Sequence, residues 1–262
     1  MSFFPKAPCG TICRKTDPHI RVNTTCHRGS CTVIALVCPD AEVQKVLPQF
    51  ILANEHGLPV HVQRRLSPPG NIHVLRGRSA WNCSNTMLAV LDALSQALEP
   101  YVQFCRPTLL MDCAPCHLSP DVLAQAWARK LRVVLVPSRL TPLVQVLDIF
   151  VFKGYKSLLE RSFEELRSRH PNSNVPTLAW FEMLIASLTF LARDWGPQFG
   201  AVLGGGDVPL TRELDKLQLD PMACARRPSE EQLASILPRR KFSRQIFQLL
   251  FGSRRVVHAV RV

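Results

Sequence analysis

Two aspartates stand apart from the other acidic residues of this sequence because each lies at the border of an apolar run. Asp112 closes the strand-sized segment Thr108-Leu-Leu-Met-Asp112. Asp148 opens a helical pattern, with 35 residues (113–147) between the two. Carboxylates at strand ends of an open α/β sheet can converge on one edge, where such sheets bind ligands. Hard divalent ions such as Mg2+ prefer carboxylate oxygen and keep several waters. Two such ions about 3.5–4 Å apart can activate a water and steady the leaving oxygen of a phosphodiester. On spacing alone, two ordinary aspartates are the simpler reading, one ending a strand and one capping a helix.

A second chemical pattern overlaps the first. Cys113-Ala-Pro-Cys116-His117 matches the C-x-x-C-H of covalent haem attachment and contains a redox-type C-x-x-C. Haem attachment of that kind belongs to exported proteins. The opening Met1-Ser-Phe-Phe-Pro-Lys predicts no secretory signal. The ten cysteines, among them Cys9, Cys13, Cys26 and Cys31, repeat no zinc-finger or ribbon spacing. Free thiols are therefore expected.

The bulk composition narrows the partner. A chain of 262 residues, 47% hydrophobic, can bury one large core or two small ones. Its apolar runs are strand-sized, such as Cys31-Thr-Val-Ile-Ala-Leu-Val-Cys38. None approaches the roughly 18–20 residues of a membrane span, so no membrane crossing is expected. Lys and Arg number 32 against 20 acidic residues, a net charge of +12. A surplus of that size favours a polyanion, with nucleic acid first and an anionic membrane surface second, although a merely basic protein carries the same charge.

The elements that must position these residues alternate in type. Residues 1–29 read as irregular. Residues 30–38 and 46–53 read as two strands closing a hairpin around a turn at Pro39-Asp40-Ala-Glu42. Residues 54–80, with Pro59 and Pro68-Pro69-Gly70, read as a loop with short extended pieces. Met87, Leu88, Leu91, Leu94 and Leu98 recur at helical spacing, ending near Pro100. Thr108–Asp112 is a strand. Ser119 is an N-cap with Pro120 at the first helical position, before a helix over 122–131. Val133–Val136 is a further strand, stopped by Pro137. Residues 147–169 and 177–193 read as helices, and alternation of this kind is the mark of an α/β fold. The tail beyond residue 207 carries Arg226-Arg227, Arg239-Arg-Lys241 and Arg254-Arg255 around apolar Ile246–Phe251.

The residue text around the two aspartates resembles the DDE superfamily endonucleases, the pogo/Tigger-like transposase group. Leu110-Met-Asp112-Cys-Ala-Pro-Cys-His117 is similar to the family's second catalytic block. Pro137, Thr141, Gln145-Val-Leu-Asp148, Phe152 and Lys153 fall in the order of its third. Trp81-Asn82 and Pro48-Gln-Phe-Ile resemble further blocks, so the likeness runs to about residue 165. It implies an RNase H-like mixed sheet with flanking helices over 1–170, then a helical extension (171–206) and a basic tail (207–262). It implies that Asp112 and Asp148 are catalytic ligands of Mg2+ or Mn2+. By the same likeness, His117 and Gln145 orient substrate or the metal shell, and Lys153 and Lys156 meet DNA phosphates, although a solvated helix face serves as well for each lysine. A nuclear location follows, and homo-oligomerisation is left open.

One departure changes the expected activity. The family's first acidic residue stands on the first strand, whereas the likeness here begins just past it. Asp17 falls in the irregular leader and Asp40 in the hairpin turn, so neither fits. The first strand and its carboxylate are expected to be missing, with little metal-dependent cleavage. A non-catalytic nucleic-acid-binding scaffold is the alternative to a working endonuclease. A membrane-surface role for the basic tail is a weaker one.

Overall fold

The computed structural model describes residues 2–3, 31–38, 40–105, 107–136, 145, 147, 151–171 and 174–194. Asp17, Asp148, the early cysteines up to Cys26, the side chain of Lys153 and the tail from 207 lie outside the described residues. Within these bounds the chain is a mixed α/β protein with two sheets, divided into two compact units. One contains 1–34, 49–81 and 154–191, the other 35–48, 82–153 and 192–262.

The first unit holds a four-stranded sheet in the order β1-β2-β3-β4. β1 (Ser2–Phe3) and β2 (Cys31–Ile34) are antiparallel, with Ser2 opposite Thr32. β3 (Gln49–Asn54) runs antiparallel to β2, with Val33 opposite Ile51. This is the pairing expected of the two early strands, with a helix between them in place of a tight turn. β4 (Ile72–Gly77) pairs parallel to β3, in the stretch read from sequence as loop. A parallel neighbour needs a crossover, and the segment between supplies it with α2 (Val60–Gln63). β3 is buried from Gln49 to Ala53 because strands flank it on both edges. Phe50 stacks on His73 of β4 at a centroid distance of 4.9 Å.

Two helices complete this unit, α5 (Phe152–Ser168) and α6 (Thr177–Asp194). Tyr155, Leu159 and Phe163 of α5 are buried at spacings of four, as are Trp180, Leu184 and Leu188 of α6. That spacing draws each set into one stripe. Phe163 meets Trp180 edge to face at 5.3 Å. α5 starts at Phe152, later than the expected residue 147, and Leu147 and Val151 are wound in π-type turns ahead of it.

The second unit is built on a parallel pair, β5 (Thr108–Asp112) and β6 (Arg132–Val136), with Asp112 opposite Val136. α4 (Pro120–Ala128) makes the crossover, and α3 (Ser84–Leu98) packs against it. α3 buries Met87, Leu91, Leu94 and Leu98 of the face that its periodicity predicts, with Val90 buried in addition and Leu88 only half-buried. Ser119 caps α4 as expected by position, with Pro120 at the helix start, although its side chain makes no capping bond. The Asp92 carboxylate of α3 accepts from Gln125 at 3.0 Å and from Arg129, tying the two helices together. α1 (Ala41–Val46) begins where Asp40 accepts from the N–H groups of Glu42 and Val43. Its Gln44 is fully buried, accepts from the Cys38 N–H at 2.6 Å and donates to the Leu36 carbonyl at 3.3 Å. A buried amide satisfied in this way fixes the backbone it bridges.

Candidate functional site

Asp112 is the last residue of β5, at the carboxyl end of the parallel pair. The chain leaves the strand through Cys113 and Ala114 and turns back within five residues. The Ala114 N–H donates to Asp112 Oδ1 at 3.1 Å, and the His117 and Leu118 N–H groups donate to the Ala114 carbonyl. The turn returns the His117 ring to the strand end. Its Nδ1 lies 2.7 Å from Asp112 Oδ1 and 3.1 Å from the Asp112 carbonyl oxygen. The Cys113 thiol donates to the Val136 carbonyl at 3.1 Å, joining the ends of the two strands. Cys113 and Cys116 are free thiols, as are the other four described cysteines.

The pair is mostly withdrawn from solvent, with His117 and Asp112 side chains 17% and 31% exposed. Burial on its own would lower the His117 pKa, but hydrogen bonds to Asp112 and to the Cys116 side chain outweigh it and push it up to about 10. Burial likewise opposes ionisation of Asp112, yet the His117 bond and charge, with the Ala114 N–H, hold its carboxyl below the usual range. At neutral pH the site is therefore an imidazolium–carboxylate ion pair. An imidazolium has no lone pair with which to accept a proton, so His117 acts here as a donor.

Asn82, which sequence reasoning did not single out for a role, stands on the far side of the ring. Its Nδ2 lies 3.5 Å from His117 Nε2, while its Oδ1 is buried with no hydrogen-bond partner among the described residues. An imidazolium also donates from Nε2, and a half-turn of the Asn82 side chain, which exchanges amide nitrogen and oxygen, would turn Oδ1 towards it.

Of the remaining predicted residues, Asp148 and the side chain of Lys153 lie outside the described residues. Gln145 has a buried Oε1 without a hydrogen-bond partner among the described residues. Lys153 and Lys156 fall in the first turns of α5, and Lys156 is half-buried. Among the described residues there is no group of three or more His, Cys, Asp or Glu side chains able to hold a metal ion. Of the two carboxylates expected to hold an ion, only Asp112 falls among the described residues, and its Oδ1 accepts from the His117 ring and from the Ala114 N–H.

No helix among the described residues is long and apolar enough to cross a membrane. Compared with known proteins, the chain matches no family model, no curated protein and no solved structure.

Proposed function

We propose that this chain is a DNA-binding domain of DDE-endonuclease descent, an RNase H-like scaffold on which metal-dependent phosphodiester cleavage and strand transfer are the ancestral activity. The place of Asp112 carries this reading. It ends the first strand of a parallel β5-α4-β6 unit, followed at once by the turn and histidine of the resembled block. The carboxyl ends of such strands are where α/β sheets hold their ligands. The antiparallel β2–β3 pair agrees with the early hairpin of that fold.

The same geometry favours the inactive form of this reading over a working enzyme. In an active relative, Asp112 and Asp148 would be the residues to hold Mg2+ or Mn2+ and so supply an activated water. Here Asp112 Oδ1 is engaged by His117 Nδ1 at 2.7 Å instead. The net charge of +12 remains suited to DNA.

Two measurements on the full chain test this. Affinity for a labelled DNA duplex is expected to fall steeply as salt rises, since binding through phosphates releases counterions. An affinity unchanged between low and moderate salt would remove the DNA reading. Incubation with plasmid and Mg2+ or Mn2+ is expected to leave the DNA intact. Robust cleavage that vanishes in both Asp112→Ala and Asp148→Ala would instead establish a working endonuclease.

A further inference from the structure

At the far ends of α3 and α4, away from any role assigned so far, two aromatic side chains stand in solvent. Phe104 is 83% exposed and Trp127 is 71% exposed. Together with Val102, Gln103, Cys105 and Lys130 they line an open recess of about 530 Å3, ample for a nucleobase. No carboxylate is among these lining residues. We propose that this recess is a binding site for single-stranded nucleic acid, in which an unpaired base stacks on Trp127 and Phe104 and the neighbouring phosphate meets Lys130. The proposal rests on the nucleic-acid reading above and adds to it a separate surface with a different preference.

Local structure holds the parts of this recess in place. After α3 the chain continues in tight turns, with Val102 N–H bonded to Leu98 and the Phe104 and Cys105 N–H groups bonded to the Tyr101 carbonyl. These bonds fix the backbone that carries Phe104. Trp127 sits in the last turn of α4. That helix ends in a Schellman turn, with the Leu131 N–H bonded to the Ala126 carbonyl and the Lys130 N–H to Trp127. Lys130 occupies the left-handed position of the turn at φ 59°, where glycine is usual. The chain therefore places a long cation three residues from Trp127 at a position whose backbone geometry disfavours it.

Charge and chemistry select the occupant. Base–aromatic stacking is indifferent to sequence but requires a base free of its duplex partner. The carbonyl ends of α3 and α4 disfavour phosphate inside the recess. The neutral base therefore enters, and the phosphate stays at the rim with Lys130. Arg129 is engaged with Asp92 and so serves the helix pair.

The test uses the full chain, a labelled oligothymidylate and a blunt duplex of equal length. Trp127→Ala and Phe104→Ala are each expected to weaken oligothymidylate binding by roughly tenfold, as loss of one stacked base does. Duplex binding should stay within about twofold. Lys130→Gly relieves the left-handed strain and so should raise the melting temperature. It should also weaken oligothymidylate binding a few-fold and reduce its salt slope by about 0.7, the contribution of one phosphate contact. Tighter folding with weaker binding separates the contact from any structural damage. Oligothymidylate affinity equal in wild type, Trp127→Ala and Phe104→Ala overturns the proposal even if duplex binding persists. Absence of binding to both probes overturns it together with the DNA reading. Self-association that disappears in Trp127→Ala, without an effect on oligothymidylate, also overturns it and assigns the surface to a second copy.

Discussion

β3 and β5 are both short apolar strands with a parallel neighbour, yet the protein treats them differently. β3 is flanked on both edges, by β2 and β4, and is buried from Gln49 through Ala53. β5 has β6 on one edge and no second strand neighbour among the described residues, and only Met111 along it is fully buried. The covered strand contributes packing. The less covered one ends in Asp112, whose carboxylate accepts from His117 and from the Ala114 N–H. Stability and chemistry are thus assigned to different sheets.

The largest effects should therefore fall on the first sheet. Ile51→Ala removes a side chain with no exposure and should cost about 3–4 kcal/mol. Leu110→Ala, on half-exposed β5, should cost about 1 kcal/mol by the area it buries. Equal losses in urea denaturation would break the comparison.

Next in size is the ion pair. His117→Asn should destabilise the fold by about 2 kcal/mol, the worth of a charge-assisted hydrogen bond. Because the folded His117 pKa is raised, its contribution is complete below the unfolded value of about 6.5. It is lost as pH rises towards about 10. The depressed Asp112 pKa sets the opposite limit, with stability lost in acid as the carboxylate protonates. The wild-type profile should show both edges, and His117→Asn should flatten both. A wild-type curve already flat between pH 7 and 10 would show that the pair contributes nothing.

Smaller still, Lys130→Gly should stabilise by about 1 kcal/mol, since glycine adopts the left-handed position without strain. Thermal unfolding reads this directly, and a loss of stability would mean that the lysine side chain supports the turn.

Thiol reactivity gives a comparison without an energy scale. The Cys83 thiol is exposed at the start of α3, and the Thr86 hydroxyl and N–H lower its pKa. Cys31 is buried in β2, and burial pushes its pKa up to about 11. An alkylating reagent should label Cys83 well before Cys31, which should react only on unfolding, as mass mapping over time would show. Early labelling of Cys31 would mean that the first sheet opens readily.

How much of this was legible in the residues depended on period and length. α3 could be read because fifteen residues repeat one apolar face, and β5 and β6 because each is an apolar run between turn residues. α1 spans only six residues, too few for a helical period to emerge, and its one strong signal is the capping Asp40. β4 follows Pro68-Pro69-Gly70, whose turn character masked the alternation of Ile72 and Val74. His117 is singled out only through the family likeness, as orienting substrate or the metal shell, and its bond to Asp112 comes from the short turn between them. Asn82 is given no role there, since it reaches His117 across 35 positions of sequence. Packing brings those two residues together, and no local pattern encodes packing.

The division of the chain into units has a consequence for how the protein is made. The backbone passes from one unit to the other between 34 and 35, 48 and 49, 81 and 82, 153 and 154, and again between 191 and 192. Neither unit is a continuous stretch. The strands of the first sheet leave the ribosome long before α5 and α6, most of whose residues belong to the same unit. Contacts so distant in sequence form late, after their loop-closure entropy has been met. During synthesis the nascent β2–β3 pair must therefore wait with apolar surface uncovered, the interval in which a chaperone would matter most.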